Sequence, residues 1–291
     1  MFIIFIIIII LLVFIFLEVK LSFTKNIKKY SSKTIEPIIV TLTKYDINVL
    51  RKINNSKILG IIILINNLEI EDLKNLIIEI KRIVKRKIII ALDEEREETY
   101  TSFYSKDFKV YPCYIGEKGS IDYARKIATL RASFLKDIGV NMLISPICNM
   151  NFYMNKNIFS KDEDLSSKLI YHTVLSYKSK NMIVALKYFP KYFDDMLLKC
   201  MDIDNIKTFS AGIKANADFI MITNNFYNYY LNILVKKFNY KKLIITNYIN
   251  DKKYLVDNAI NIISEEIFMN YNYSIDTSSI DKKLEELINN I

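Results

Sequence analysis

Histidine is almost missing from this chain: His172 is the only one in 291 residues. The three cysteines, Cys113, Cys148 and Cys200, are widely spaced and form no Cys-x-x-Cys pair. No zinc site of the common kind can be assembled from that inventory, and no cofactor is expected. The odd thiol count argues equally against a disulfide framework, so the cysteines read as small buried apolar side chains. Glycine (5) and proline (4) are scarce, which argues against a disordered or low-complexity chain. No Gly-rich turn follows the first strand-like run, where a doubly wound nucleotide-binding sheet would usually carry one. Clustered basic and aromatic residues are lacking too. The net charge of +9 comes from lysines scattered over most of the chain, and no nucleic-acid partner is expected from that pattern. Attraction to an anionic membrane face stays open.

Long apolar runs are present at one place only. Phe2 to Leu17 is uninterrupted, with Glu18 and Lys20 directly after it. Sixteen residues fall slightly short of the about 20 needed to span a bilayer, and Val19 and Leu21 can extend the segment. No Lys or Arg precedes the run, and Phe16-Leu17-Glu18-Val19 is a poor cleavage site, so an uncleaved single-pass anchor is expected ahead of a cleaved signal peptide. Lys20, Lys25, Lys28 and Lys29 favour a cytoplasmic body by the positive-inside rule, but a large domain can translocate regardless, and the side is left open. The expected organisation is an anchor over 1–21, a polar linker over 22–36 and one large domain over 37–291.

Within that domain, short β-branched runs alternate with helical patterns. Strands are expected at Ile38–Leu42, Leu59–Ile65, Lys87–Leu92, Val140–Ser145, Met182–Leu186, Asp218–Thr223, Leu243–Thr246 and Glu266–Met269. Continuous apolar runs of this length suit strands buried on both faces of a parallel sheet. Ile70, Leu73, Ile77, Ile80 and Val84 form one helical stripe,. Ile121, Ala124, Ile127, Leu130, Phe134 and Ile138 form another, with Ser120 as N-cap and Gly139 just past the end,. A third helix spans roughly Leu165 to Lys178. Eight strands with intervening helices in about 250 residues predict an α/β (β/α)8 barrel, with a doubly wound open sheet as the main rival. In a barrel the residues just past the strand C-termini face the ligand.

Several of those rim clusters, in order, carry a resemblance. They are Leu59-Gly60-Ile61-Ile62-Ile63-Leu64 with Asn66, Ala91-Leu92-Asp93-Glu94-Glu95, Tyr111-Pro112-Cys113, and the helix Ile121–Ile138 leading into Gly139-Val140-Asn141-Met142-Leu143-Ile144-Ser145-Pro146. Ala185-Leu186-Lys187-Tyr188-Phe189-Pro190, Ala217-Asp218-Phe219-Ile220-Met221-Ile222 and Ile244-Ile245-Thr246-Asn247 follow. From about Ile58 to Met269 the chain resembles the N-terminal barrel of glycoside hydrolase family 3, in particular its bacterial β-N-acetylhexosaminidase branch.

The resemblance implies a carbohydrate ligand, a β-linked amino sugar or glucoside, and assigns roles residue by residue. Asp93 matches the aspartate that binds sugar hydroxyls after the third strand. Lys187 matches the lysine of the Lys-His pair that grips substrate, and Tyr188 stands where the histidine would be. The glycines and arginine after the acidic pair are replaced by Arg96, Glu97 and Glu98, and an expected aspartate falls on Asn149. The arginine of the Arg-Ser-Phe-Gly segment falls on Asn157, while Phe159 and Asp162 fit. The Gly-His-Gly after Pro190 reads Lys191-Tyr192-Phe193, and the loop that should bear an Asp-Ser-His acid/base dyad is shortened and has no histidine. The nucleophile position after the seventh strand is Asn247.

That substitution bears directly on chemistry. A retaining glycosidase needs a carboxylate nucleophile and a proton donor on the other side of the scissile bond. An amide carries no negative charge and is a very poor nucleophile. The implied activity is hydrolysis of O-glycosyl bonds; the alternative is a non-catalytic, membrane-anchored sugar-binding or scaffold protein. Asp194 and Asp195 could supply a replacement acid, but exposed loop acids are common. His172, within a helix, is expected to be a surface or half-buried residue. The aromatic run Phe226-Tyr227-Asn228-Tyr229-Tyr230 reads equally as a sugar platform or as helix packing.

Overall fold

The computed structural model describes residues 35–64, 68–93, 110–148, 156–189, 207–222, 227–246, 249, 255–270, 275 and 278–291. They lie in one compact unit, Ile35–Ile291. The apolar run 2–17 lies outside the described residues, and among those described no helix is long and apolar enough to cross a membrane.

The chain runs β1 (Glu36–Leu42), α1 (Ile47–Asn55), β2 (Ile58–Ile63), α2 (Ile70–Ile83), β3 (Ile89–Leu92), α3 (Pro112–Lys118), α4 (Ile121–Ile138) and β4 (Met142–Ile147). It continues through α5 (Glu163–Ser179), β5 (Ile183–Phe189), α6 (Lys207–Lys214), β6 (Phe219–Ile222), α7 (Tyr227–Phe238) and β7 (Leu243–Thr246). β8 (Asn261–Ile263), α8 (Glu265–Met269) and α9 (Asp281–Asn289) complete it. All strand pairs are parallel, in the order β7-β6-β5-β4-β3-β2-β1-β8. The ring closes between β7 and β8, where Thr246 N–H donates to the Ile260 carbonyl at 2.8 Å and Ile260 N–H to the Ile244 carbonyl at 2.9 Å. This is the expected (β/α)8 barrel. Closure removes every unpaired sheet edge.

Strand periodicity sorts the side chains into two cores. Ile89 and Ala91 of β3 and Ile183 and Ala185 of β5 point into the barrel, where they meet Met142, Phe219 and Ile245. Ile90, Leu92, Val184 and Leu186 point outward to the helices. Those helices present Leu73, Leu76, Ile77 and Ile80 from α2, and Ala124, Ile127, Ala132 and Leu135 from α4. Ile280 and Leu284 bury themselves in the inner cluster with Leu287, Ile288 and Ile291 packed beside them, so α9 plugs the end of the barrel at which the strands begin.

Caps fix the helix ends as the sequence predicts. The Ser120 hydroxyl accepts from Tyr123 N–H at 3.3 Å, and Gly139 closes α4 at φ 105°, a backbone region open to glycine at little cost. The eighth strand corrects the sequence reading. Glu266–Met269 is helix, not strand, and β8 lies just upstream at Asn261–Ile263. The Ser264 hydroxyl accepts from Ile267 N–H at 3.3 Å, and Glu265 and Glu266 occupy the first turn, where both features favour a helix start.

Candidate functional site

The C-terminal ends of β3 and β5 place two charged side chains together. Asp93 follows directly on β3, and Lys187 lies near the end of β5, in register with Ile147 of β4. The Lys187 ammonium donates to the Asp93 carboxylate, and each side chain is 1% exposed. A lone charge at such depth would be very costly, and the ion pair offsets that cost. The Lys187 ammonium also stands 5.7 Å from the ring centre of half-buried Tyr188. The backbone around the pair is stitched across three elements. Cys148 N–H donates to the Lys187 carbonyl at 2.6 Å, and the buried Thr208 hydroxyl of α6 donates to the Cys148 carbonyl at 2.6 Å.

Asn157 is half-buried in the turn that leads to Ile158 and Phe159, both buried. That turn is pinned from α3: Cys113 N–H donates to the Lys156 carbonyl at 3.2 Å, and a Cβ on Gly116 would lie 1.4 Å from the Phe159 carbonyl oxygen. Asp162 caps α5 by accepting from Asp164 and Leu165 N–H at 2.8 and 3.1 Å. Thr246 ends β7 fully buried, its hydroxyl accepting from Ile262 N–H at 3.3 Å.

Asn247, the next residue, lies outside the described residues, as do Glu94, Glu95, Arg96, Glu97, Glu98, Asn149, Lys191, Tyr192, Phe193, Asp194, Asp195 and Cys200. The structure therefore brings Asp93, Lys187 and Tyr188 together and leaves the nucleophile position undescribed. Sequence reasoning missed Glu265, whose carboxylate accepts from the Thr43 hydroxyl at 2.7 Å and from the Thr43 N–H. It ties α8 to the end of β1. The N-cap signal of Ser264 was the clue to it.

Of the remaining candidates, Cys148 lies at the rim, just past β4, where its N–H bonds the Lys187 carbonyl. His172 sits within α5, half-buried and edge-on to Tyr171 at 5.2 Å between ring centres. Cys148 is buried, its thiol donating to the Pro146 carbonyl at 3.6 Å, and Cys113 is half-buried; burial, aided by nearby Glu117, pushes the Cys113 thiol up from its ordinary range. Among the described residues no group of three or more His, Cys, Asp or Glu could hold a metal. The pair has the chemistry to hydrogen-bond sugar hydroxyls, the carboxylate accepting and the ammonium donating.

No family model and no curated protein matches this chain. Solved structures do match. NagZ from Neisseria gonorrhoeae, in complex with N-trifluoroacetyl-D-glucosamine, has a TM-score of 0.70 at 14% identity, covering 87% of this chain and 89% of its own. The β-N-acetylglucosaminidase from Thermotoga maritima gives 0.64 at 13% identity, covering 88% of this chain and 62% of its own. The glycoside hydrolase family 3 β-N-acetylglucosaminidase from a Paenibacillus species gives 0.62 at 14% identity, covering 89% of this chain and 57% of its own. At these identities the likeness is one of fold, and the fold is that of the β-N-acetylglucosaminidase barrels of glycoside hydrolase family 3.

Proposed function

We propose that this chain is a sugar-binding barrel of the family 3 glycoside hydrolase kind, with a β-linked N-acetylglucosaminide or glucoside as ligand and without glycosyl-transfer chemistry. The observation that carries the reading is the meeting of Asp93 and Lys187 at the ends of β3 and β5, the two positions to which the resemblance assigns contacts with sugar hydroxyls. Loss of chemistry rests on the sequence: the residue after Thr246 is Asn247, a neutral amide where covalent catalysis needs a carboxylate. Because the pair is buried, a sugar must uncover it, and that cost offsets part of the hydrogen bonding the sugar would make. Weak binding is the expected result.

The test is calorimetric titration with N-acetylglucosamine and with a β-glucoside, run beside hydrolysis of their chromogenic aryl glycosides. Heat of binding that Asp93→Ala abolishes, with no turnover by the wild-type chain, supports the reading. Absence of binding by a folded protein sinks it.

A second reading, hydrolysis of the same bonds, draws on the neighbours, which include named β-N-acetylglucosaminidases. Clear wild-type turnover selects it, and Asn247→Asp separates the two further: only a barrel that lacks its nucleophile gains activity from that change. The apolar segment 2–17 is assigned here as a single-pass anchor, and extraction of the full chain from membranes by alkaline carbonate would remove that assignment.

A further inference from the structure

The strands of a parallel barrel all begin at one end, so the turns that feed them share one face. In this chain those turns carry lysine in succession: Lys57 before β2, Lys85 and Lys87 before β3, Lys180 before β5, Lys214 before β6 and Lys241 before β7. Lys180 is half-buried and the others are exposed. None forms an ion pair with a carboxylate among the described residues. Helix dipoles favour cations in the last helical turn, which accounts for Lys214. It also accounts for Lys180, the C-cap residue of α5, but not for Lys57, Lys85, Lys87 or Lys241, which stand farther past their helices.

On the same face a groove of about 280 Å³ opens between the ends of α2 and α4. The charged side chains that line it are Lys81, Arg86, Lys87 and Lys136, beside the apolar side chains of Ile88 and Ile291. Among the described residues the Lys136 and Lys87 ammonium groups donate to carbonyls, of Asn181 at 3.1 Å and Asn289 at 3.5 Å. The buried Nε of Arg86 has no hydrogen-bond partner among the described residues. Acids at this end do not cancel the charge. Asp218 is held by Lys178 at 2.6 Å. Glu36, Asp137 and Asp257 remain, and on α9 Lys282 and Lys283 offset most of Asp281, Glu285 and Glu286.

We infer that this face docks on an anionic phospholipid surface, with the groove taking a headgroup phosphate. Charge complementarity is one argument: a surface with an excess of positive charge is attracted to an anionic leaflet. The path of the chain is the other. Glu36 opens β1 on this face, so the segment that carries Lys20, Lys25, Lys28, Lys29 and the apolar run 2–17 joins the barrel here. The inference stands apart from the sugar-binding reading.

The test is lysine acylation footprinting of the full chain on vesicles of phosphatidylcholine alone or mixed with phosphatidylglycerol. Lys57, Lys85, Lys87 and Lys241 should label several-fold more slowly on the anionic vesicles and recover in high salt. Lys161 and Lys207, at the opposite end of the barrel, should not change. The triple variant Lys85→Gln, Lys87→Gln, Lys241→Gln alters exposed side chains and should return Lys57 to its rate on neutral vesicles. Equal labelling on both vesicles overturns the docking face while leaving the anchor standing; failure to sediment with either vesicle overturns both. Equal protection by duplex DNA without lipid would reassign the face to nucleic acid and overturn the inference.

Discussion

Lys187 and Asp93 meet inside the barrel from strands separated by β4, joined by an ammonium-to-carboxylate hydrogen bond at 1% exposure on each side. Removing one partner takes from the other the counter-charge it holds at that depth. Lys187→Met or Asp93→Leu should each cost about 3–5 kcal/mol. The double variant should recover much of that, because it removes both buried charges together. Urea unfolding with an unchanged slope reads the difference, and additive losses in the double variant would show that the two groups are not coupled.

Gly116 should tolerate no side chain. A Cβ there would meet the Phe159 carbonyl oxygen at 1.4 Å, a backbone atom that cannot swing aside. Gly116→Ala should therefore cost at least the about 1–3 kcal/mol of ordinary overpacking. It should also displace the turn that holds Asn157. A melting temperature equal to wild type would contradict this packing.

The α4 cap offers a smaller, local effect. Ser120→Ala removes the hydroxyl that accepts from Tyr123 N–H and should cost about 1 kcal/mol, while Ser120→Asp should keep most of the stability. Thermal denaturation of the two variants side by side checks the ranking.

Tyr240 sets a response to alkali. Its hydroxyl donates to the Leu243 carbonyl at 3.2 Å, and burial first, then Asp218, pushes the phenol well above its ordinary 10.0. The folded state then keeps a proton that the unfolded state releases. Its contribution is complete below pH 10, and stability falls as pH rises from there through the folded value. Tyr240→Phe should lose that part of the alkaline slope while bearing a steady cost for the missing hydrogen bond. An identical pH profile for both proteins would refute the assignment.

Much of this barrel is legible locally. The Ile88–Leu92 run ends at Asp93, and the α4 caps at Ser120 and Gly139 are chemical signals within a few residues of the structure they specify. The eighth strand is hard to read because it is only three residues long and begins with polar Asn261. It follows Asn258, whose φ of 56° turns the chain sharply. The apolar run Ile267-Phe268-Met269 after it belongs to the helix capped by Ser264. Short apolar runs do not distinguish strand from helix by periodicity alone.

The amino-acid order by itself determined the alternation of strand and helix, the caps, and which residue follows each strand, since all of these are set by neighbours along the chain. It showed Asp93 and Lys187 as separate strand-end charges, and the lysines as scattered. Only the closed parallel barrel decided that the first two neutralise each other and that the second group gathers on one face. The reason is geometric: a parallel ring brings every strand start to one end and every strand finish to the other, whatever the distance between them in sequence.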